Sequence, residues 1–192
     1  MKRDLRLVRR YPYPPSLVWR ALTDRELLAE WLMASDFQPE LGRSFTFRTE
    51  PAPGFDGIVH CKVLELEAER RMRWAWRGGA VDTEVSFRLE PALVFAREGT
   101  ELTVEQTGFA GLPAVLTSFI LQAGNRGIYG QRLPAVVARL AGEGGGSRAP
   151  ALCEKRSLWN VLAQVFAPVL RRGEAEAQGG ARAGVRESGE GR

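Results

Sequence analysis

The 192 residues are 44% hydrophobic and carry a formal charge of only +4, which suits one medium domain with an appendage and argues against a nucleic-acid face built from clustered cations. No run approaches the roughly 18 consecutive apolar residues of a membrane span, and residues 1–10 form a charged segment rather than a signal-peptide apolar block, so a cytoplasmic protein is expected. The single histidine excludes a two-histidine metal site, and Cys61 and Cys153 lie too far apart in sequence to suggest a redox or metal pair; no metal or cofactor is expected.

Residues 1–10 read as a strand that Pro14 and Pro15 halt while opening a helix, because a missing amide proton costs nothing in the first turn. Thr23 or Asp24 then caps a second short helix. Val18, Leu22, Leu27, Leu28 and Trp31 fall on one side of this pair, which must therefore lie against something apolar.

From Arg43 to Glu50, Phe45 and Phe47 share one face while Ser44, Thr46 and Arg48 share the other, as the two-residue period of a pleat requires. The alternation recurs at Trp74 and Trp76, at Val81, Val85, Phe87 and Leu89, and at Leu102 and Val104. Turn compositions at 51–54, 67–70, Gly78-Gly79 and Glu98-Gly99 separate these runs into an antiparallel meander with one apolar face. Cys61 falls within a strand and reads as a buried thiol. The face needs a cover, and 112–140 is the long apolar segment left to supply it. Gly124, Gly127, Gly130 and Pro134 interrupt its helical pattern, so a kinked or split helix is expected.

Inward parity puts Gln106 with Leu102 and Val104, and Thr83 with Val85, as polar groups among apolar walls. The sequence does not fix the face that His60 occupies. Paired carboxylates for acid–base work are not evident, the serines lack a hydrolase elbow, and the glycine pairs lack the setting of a phosphate loop, so no catalytic residue is assigned.

Pro14, Val18-Trp19, Thr23-Asp24, Trp31, Gly42 with Phe45, the Gly57 strand, residues 63–66, 71–76 and 85–89, Gly99-Thr100 and Gly108-Phe109 occur in an order that resembles the activator of heat shock protein 90 ATPase homologue family, a branch of the START-related helix-grip superfamily. The resemblance covers most of residues 4–141 and implies an α+β helix-grip fold: a curved antiparallel sheet wrapped around a long C-terminal helix, with two short helices after the first strand. It further implies a cavity between sheet and helix for a small hydrophobic or amphipathic molecule. Trp31, Phe45, Phe47, Trp74, Trp76, Val85, Phe87 and Phe119 would line it, with His60, Thr83 and Gln106 as its polar candidates. Two other readings stay open, a chaperone-associated interaction module and a polyketide cyclase or dehydratase type of enzyme. The chain departs from the family pattern after Gly130, where Gln131 stands in place of a common tryptophan.

The domain is expected to span 1–142, followed by a flexible Gly/Ser/Ala/Arg linker at 143–153. Residues 154–172 place Leu158, Leu162, Val165, Phe166 and Val169 at helical spacing, an amphipathic helix that could fold back, dock on a protein partner or form a homodimer contact. Residues 173–192 have almost no apolar content and are expected to be disordered.

Overall fold

The computed structural model describes residues 2–51, 55–79, 81–111 and 124–142, together with residues 115, 118 and 122. Its elements are β1 (Lys2–Tyr11), α1 (Pro15–Thr23), α2 (Arg25–Trp31), β2 (Ala34–Ser35), β3 (Ser44–Arg48), β4 (Ile58–Glu67), β5 (Arg71–Gly78), β6 (Val81–Val94) and β7 (Arg97–Ala110). A π-helical turn, Ile128–Arg132, then runs into α3 (Leu133–Leu140). The expected linker, amphipathic helix and tail, residues 143–192, lie outside the described residues, as does Phe119.

The strands form one antiparallel sheet in the order β1-β7-β6-β5-β4-β3-β2. Consecutive strands from β2 to β7 pair as a meander, while β1 closes the far edge against β7. β1 and β2 thus occupy opposite edges, and α1 and α2 connect them. This is the α+β helix-grip arrangement, a curved sheet with two short helices after the first strand and a C-terminal helix.

Local chemistry explains the helix ends. Pro14 is the N-cap of α1 and Pro15 its first residue, where proline lacks only an amide proton that has no use there. Asp24 ends α1 and begins α2: its backbone amide donates to Arg20 O, and its carboxylate accepts from the amides of Glu26 and Leu27. Asp24, not Thr23, is therefore the cap, since the Thr23 hydroxyl turns back to Trp19 O at 2.8 Å. The Ala21 carbonyl in the last turn of α1 accepts from the Trp31 indole at 2.8 Å, which joins the two helices through a buried bond.

The β6–β7 turn is not at Glu98-Gly99. Val94 pairs with Arg97, leaving a two-residue loop of Phe95 and Ala96 with φ of 51° and 59°. Such loops usually contain Asn or Gly, so this pair carries no turn signature in sequence. Gly99 lies inside β7 for a different reason. A Cβ there would stand 2.4 Å from Tyr11 O and 2.8 Å from Val94 Cγ2, so the glycine permits a close approach of backbones.

The C-terminal helix, expected to be kinked or split, is irregular but not split among the described residues. Residues 124–127 are helical and lead without a break into the π turn, so the glycines do not split it. The irregularity is instead a change of hydrogen-bond register ahead of Pro134. The Leu133 amide donates to Ile128 O, five residues back, bypassing Tyr129 O. In the same π register Pro134 would be the donor to Tyr129 O, but it has no amide proton. The Tyr11 hydroxyl supplies the missing bond to Tyr129 O at 2.6 Å and ties the end of β1 to the helix.

Candidate functional site

The inner face of the sheet is an aromatic floor. Phe45 and Phe47 on β3, Trp74 on β5 and Phe87 on β6 are buried, and Phe37 from the β2–β3 connection joins them. Ring centroids lie 5.3 Å from Trp74 for Phe37 and Phe45, 5.8 Å for Phe47 and 4.8 Å for Phe87. Trp76 is half-buried and tilts against Phe47 at 5.2 Å. Trp31 stands apart from this group, its ring 5.6 Å from Tyr129 and its indole committed to Ala21 O, so it packs helices together.

Thr83 and Gln106 are buried on the same face, as parity predicts. Gln106 Nε2 donates to Thr83 Oγ1 at 2.9 Å, and Thr83 Oγ1 donates to Trp76 O at 3.4 Å. The pair forms a polar spot between the main core and the smaller cluster of Leu5, Val81 and Phe109. Val85 sits beside them, in register between Trp74 and Gln106.

His60 does not belong to this interior. Val59 and Cys61 are buried, so the period-two pleat turns His60 outward, where it is exposed between Thr46 and Arg77 on neighbouring strands. Cys61 is a buried thiol; burial pushes it well above the ordinary thiol range, and the Asp36 carboxylate adds to the shift, which keeps it protonated and unreactive.

Trp74 Nε1 is fully enclosed and has no hydrogen-bond partner among the described residues. An unpaired donor of this kind costs about 1–3 kcal/mol. Among the described residues, no cluster of three His, Cys, Asp or Glu side chains suits a metal ion.

The outer face is charged and paired. Arg6 meets Glu105, Arg10 meets Glu101, Arg73 bridges Glu65 and Glu84, and Arg77 meets Asp82. Each of these arginines is opposed by a carboxylate on an adjacent strand.

Residues 12–137 match the family model described as Activator of Hsp90 ATPase homolog 1-like protein. The chain belongs to this family. Among solved structures, protein MLL2253 from Mesorhizobium loti is 28% identical with a TM-score of 0.60, over 71% of this chain and 98% of that one. DynU16, a protein in the dynemicin biosynthetic locus, is 21% identical with a TM-score of 0.56, over 76% of this chain and 50% of that one. CalU16 from Micromonospora echinospora is 21% identical with a TM-score of 0.53, over 85% and 89%. No curated protein matches the chain.

Two residues of this Activator of Hsp90 ATPase homolog 1-like domain escape the sequence reading of the site. Phe37 is placed by its neighbours: the Ser35 hydroxyl accepts from the Phe37 amide at 3.1 Å and donates to Thr46 O at 2.8 Å. Asp36 accepts from the Thr46 amide at 2.6 Å, a bond that holds its carboxyl below the usual range. Ser-Asp before an isolated phenylalanine is a turn signature that could have marked Phe37 as anchored. Tyr129 carries no comparable signal, because its role depends on the register change described above.

Proposed function

We infer that the chain is a binding protein for a small hydrophobic or amphipathic molecule, held between the inner face of the sheet and the C-terminal helix. The observation that carries this reading is the aromatic floor with the bonded polar pair, Thr83 and Gln106, on the same face. That combination supplies apolar area to take a guest out of water, at about 25 cal/mol per Å² before ordering costs, and few polar groups to orient it. Phe45, Phe47, Trp74, Trp76, Val85 and Phe87 are the proposed walls, whereas His60 is withdrawn from the set. Family membership favours the same reading, and a cytoplasmic location fits a chain in which no described helix is long and apolar enough to cross a membrane.

A second reading, a chaperone-associated interaction module, draws on the family description and on Leu93 and Phe95, which project into solvent at the β6–β7 hairpin. Catalysis of the polyketide cyclase or dehydratase type retains only Thr83 and Gln106 as inner-face candidates.

One experiment separates the first two. A hydrophobic fluorescent probe titrated into the full chain is expected to reach a saturable site, and serine at both Leu93 and Phe95 is expected to leave that binding unchanged. Absence of saturable binding overturns the container reading. Capture of a heat shock protein 90 ATPase that is lost in the doubly substituted chain would favour the module instead.

A further inference from the structure

β1 is the last strand on its side of the sheet, so one of its edges has no described strand beside it. Tyr11 fixes which side meets β7: its carbonyl points at Gly99, where an added Cβ would stand only 2.4 Å away. Backbone groups alternate in direction along an antiparallel strand, so Leu7, Arg9 and Tyr11 bond to β7 while Arg6, Val8 and Arg10 turn theirs to the open edge. Val8 O agrees with this, since its partner among the described residues is a side chain, the Arg9 guanidinium at 3.1 Å. The Val8 side chain is itself exposed.

Charge around this edge is one-sided. β1 carries five cations against the single carboxylate of Asp4, which accepts from the Gly108 amide. Residues 106–142 contain no Asp or Glu. The C-terminal helix runs along the strand: Arg3 donates to Gln122 Oε1 at 2.5 Å, and a Cβ on Gly130 would stand 3.9 Å from Arg9 Nε. Arg126 lies four residues from both Gln122 and Gly130, hence on the same flank of the helix, and it is exposed. Arg6 and Arg10 on the outer face are met by Glu105 and Glu101, but neither Arg9 nor Arg126 forms an ion pair with a described residue.

We propose that the open edge of β1 docks an extended peptide of a partner protein in which acidic and apolar residues alternate. This goes beyond the binding reading above, which concerns the interior. An added strand takes up the N–H and C=O groups of Arg6, Val8 and Arg10 in a ladder, and one of its amides replaces the guanidinium at Val8 O. Its acidic side chains fall on the side of Arg9 and Arg126, and the residues between them fall beside Val8. A second copy of the chain does not fit here through its own β1, since that brings five cations against five.

The test uses an acetylated, fluorescein-labelled Gly-Glu-Val-Glu-Val-Glu-Gly peptide on the full chain. One counterpart has Lys in place of Glu, and another is N-methylated at every Glu and Val, which removes its main-chain donors. The Glu peptide is expected to bind saturably and both counterparts at least about tenfold more weakly. R126E, at an exposed position, is expected to weaken the Glu peptide by about tenfold and to bind the Lys peptide in preference. With the Glu peptide at about ten times its Kd, the amides of Arg6, Val8 and Arg10 are expected to exchange about tenfold more slowly, while those of β3 near the other edge keep their rates. This last readout needs no substitution.

Absence of saturable binding, undiminished affinity of the methylated peptide, an R126E chain that binds as before, or unchanged exchange at those three amides would each overturn the proposal. Attachment to phosphatidylserine vesicles without peptide binding would overturn it as well. All of these outcomes leave the interior binding reading to its own probe titration.

Discussion

Gly99 shows how one residue decides whether the edge of the sheet can close. With a methyl group 2.4 Å from the Tyr11 carbonyl, Gly99→Ala must push β1 and β7 apart or displace Val94. We expect a loss of about 1–3 kcal/mol, read as a lower urea midpoint at unchanged slope. An unchanged midpoint would mean that the backbone yields freely there. At this scale the inward residues were legible wherever apolar and polar types strictly alternate, as in Phe45 and Phe47 or Val85 and Phe87. His60 was not, because Ile58-Val59 before it and Lys62-Val63 after it do not show which parity is buried. Gln106 and Thr83 were placed by parity, but parity could not say that they bond to each other. The orphaned indole of Trp74 was equally invisible, since a period of two gives a ring its side of the sheet and not its hydrogen-bond partner.

Elements are held here by side chains that complete backbone bonding. The Tyr129 carbonyl loses one donor because Leu133 reaches past it and another because Pro134 has none, and Tyr11 replaces them across the fold. Tyr11→Phe keeps the ring but strands a buried carbonyl, at an expected cost of about 1–3 kcal/mol. Amide exchange in α3 and at the end of β1 should accelerate together; acceleration in only one of them would show that the bond does not couple the two. The sequence reading recognised Pro134 and the glycines as disruptive and so anticipated an irregular helix. It could not distinguish a break from a π turn, because that choice depends on a tyrosine from the other end of the chain. The two short helices were more legible: prolines, Asp24 and the apolar stripe act over a few residues, and those local preferences agree with the global packing.

For the molecule as a whole, the buried phenols set an alkaline limit. Burial raises the Tyr11 phenol, with Arg9 opposing part of the effect, and raises the Tyr129 phenol, with Tyr11 adding to it. Both groups stay protonated in the folded chain at a pH where an unfolded chain begins to release their protons, near 10. Their contribution to stability is therefore complete below about pH 10 and declines as the pH rises through and beyond it. Phenolate absorbance from Tyr11 and Tyr129 should appear together with the loss of near-ultraviolet circular dichroism. Smooth titration of these two near pH 10 in a folded chain would contradict this. The meander itself was readable from hairpin-length runs, whereas the pairing of β1 with β7 was not, because nothing local links strands so far apart in sequence.

That pairing has a consequence during synthesis. Lys2 faces Ala110, so the first strand of the sheet to be made must wait for the last before its own hydrogen bonds can form. Closing so long a loop makes for slow folding and leaves an unpaired edge exposed in the nascent chain. The five cations of β1, Lys2, Arg3, Arg6, Arg9 and Arg10, suit that interval, since their mutual repulsion discourages two unfinished chains from joining edge to edge.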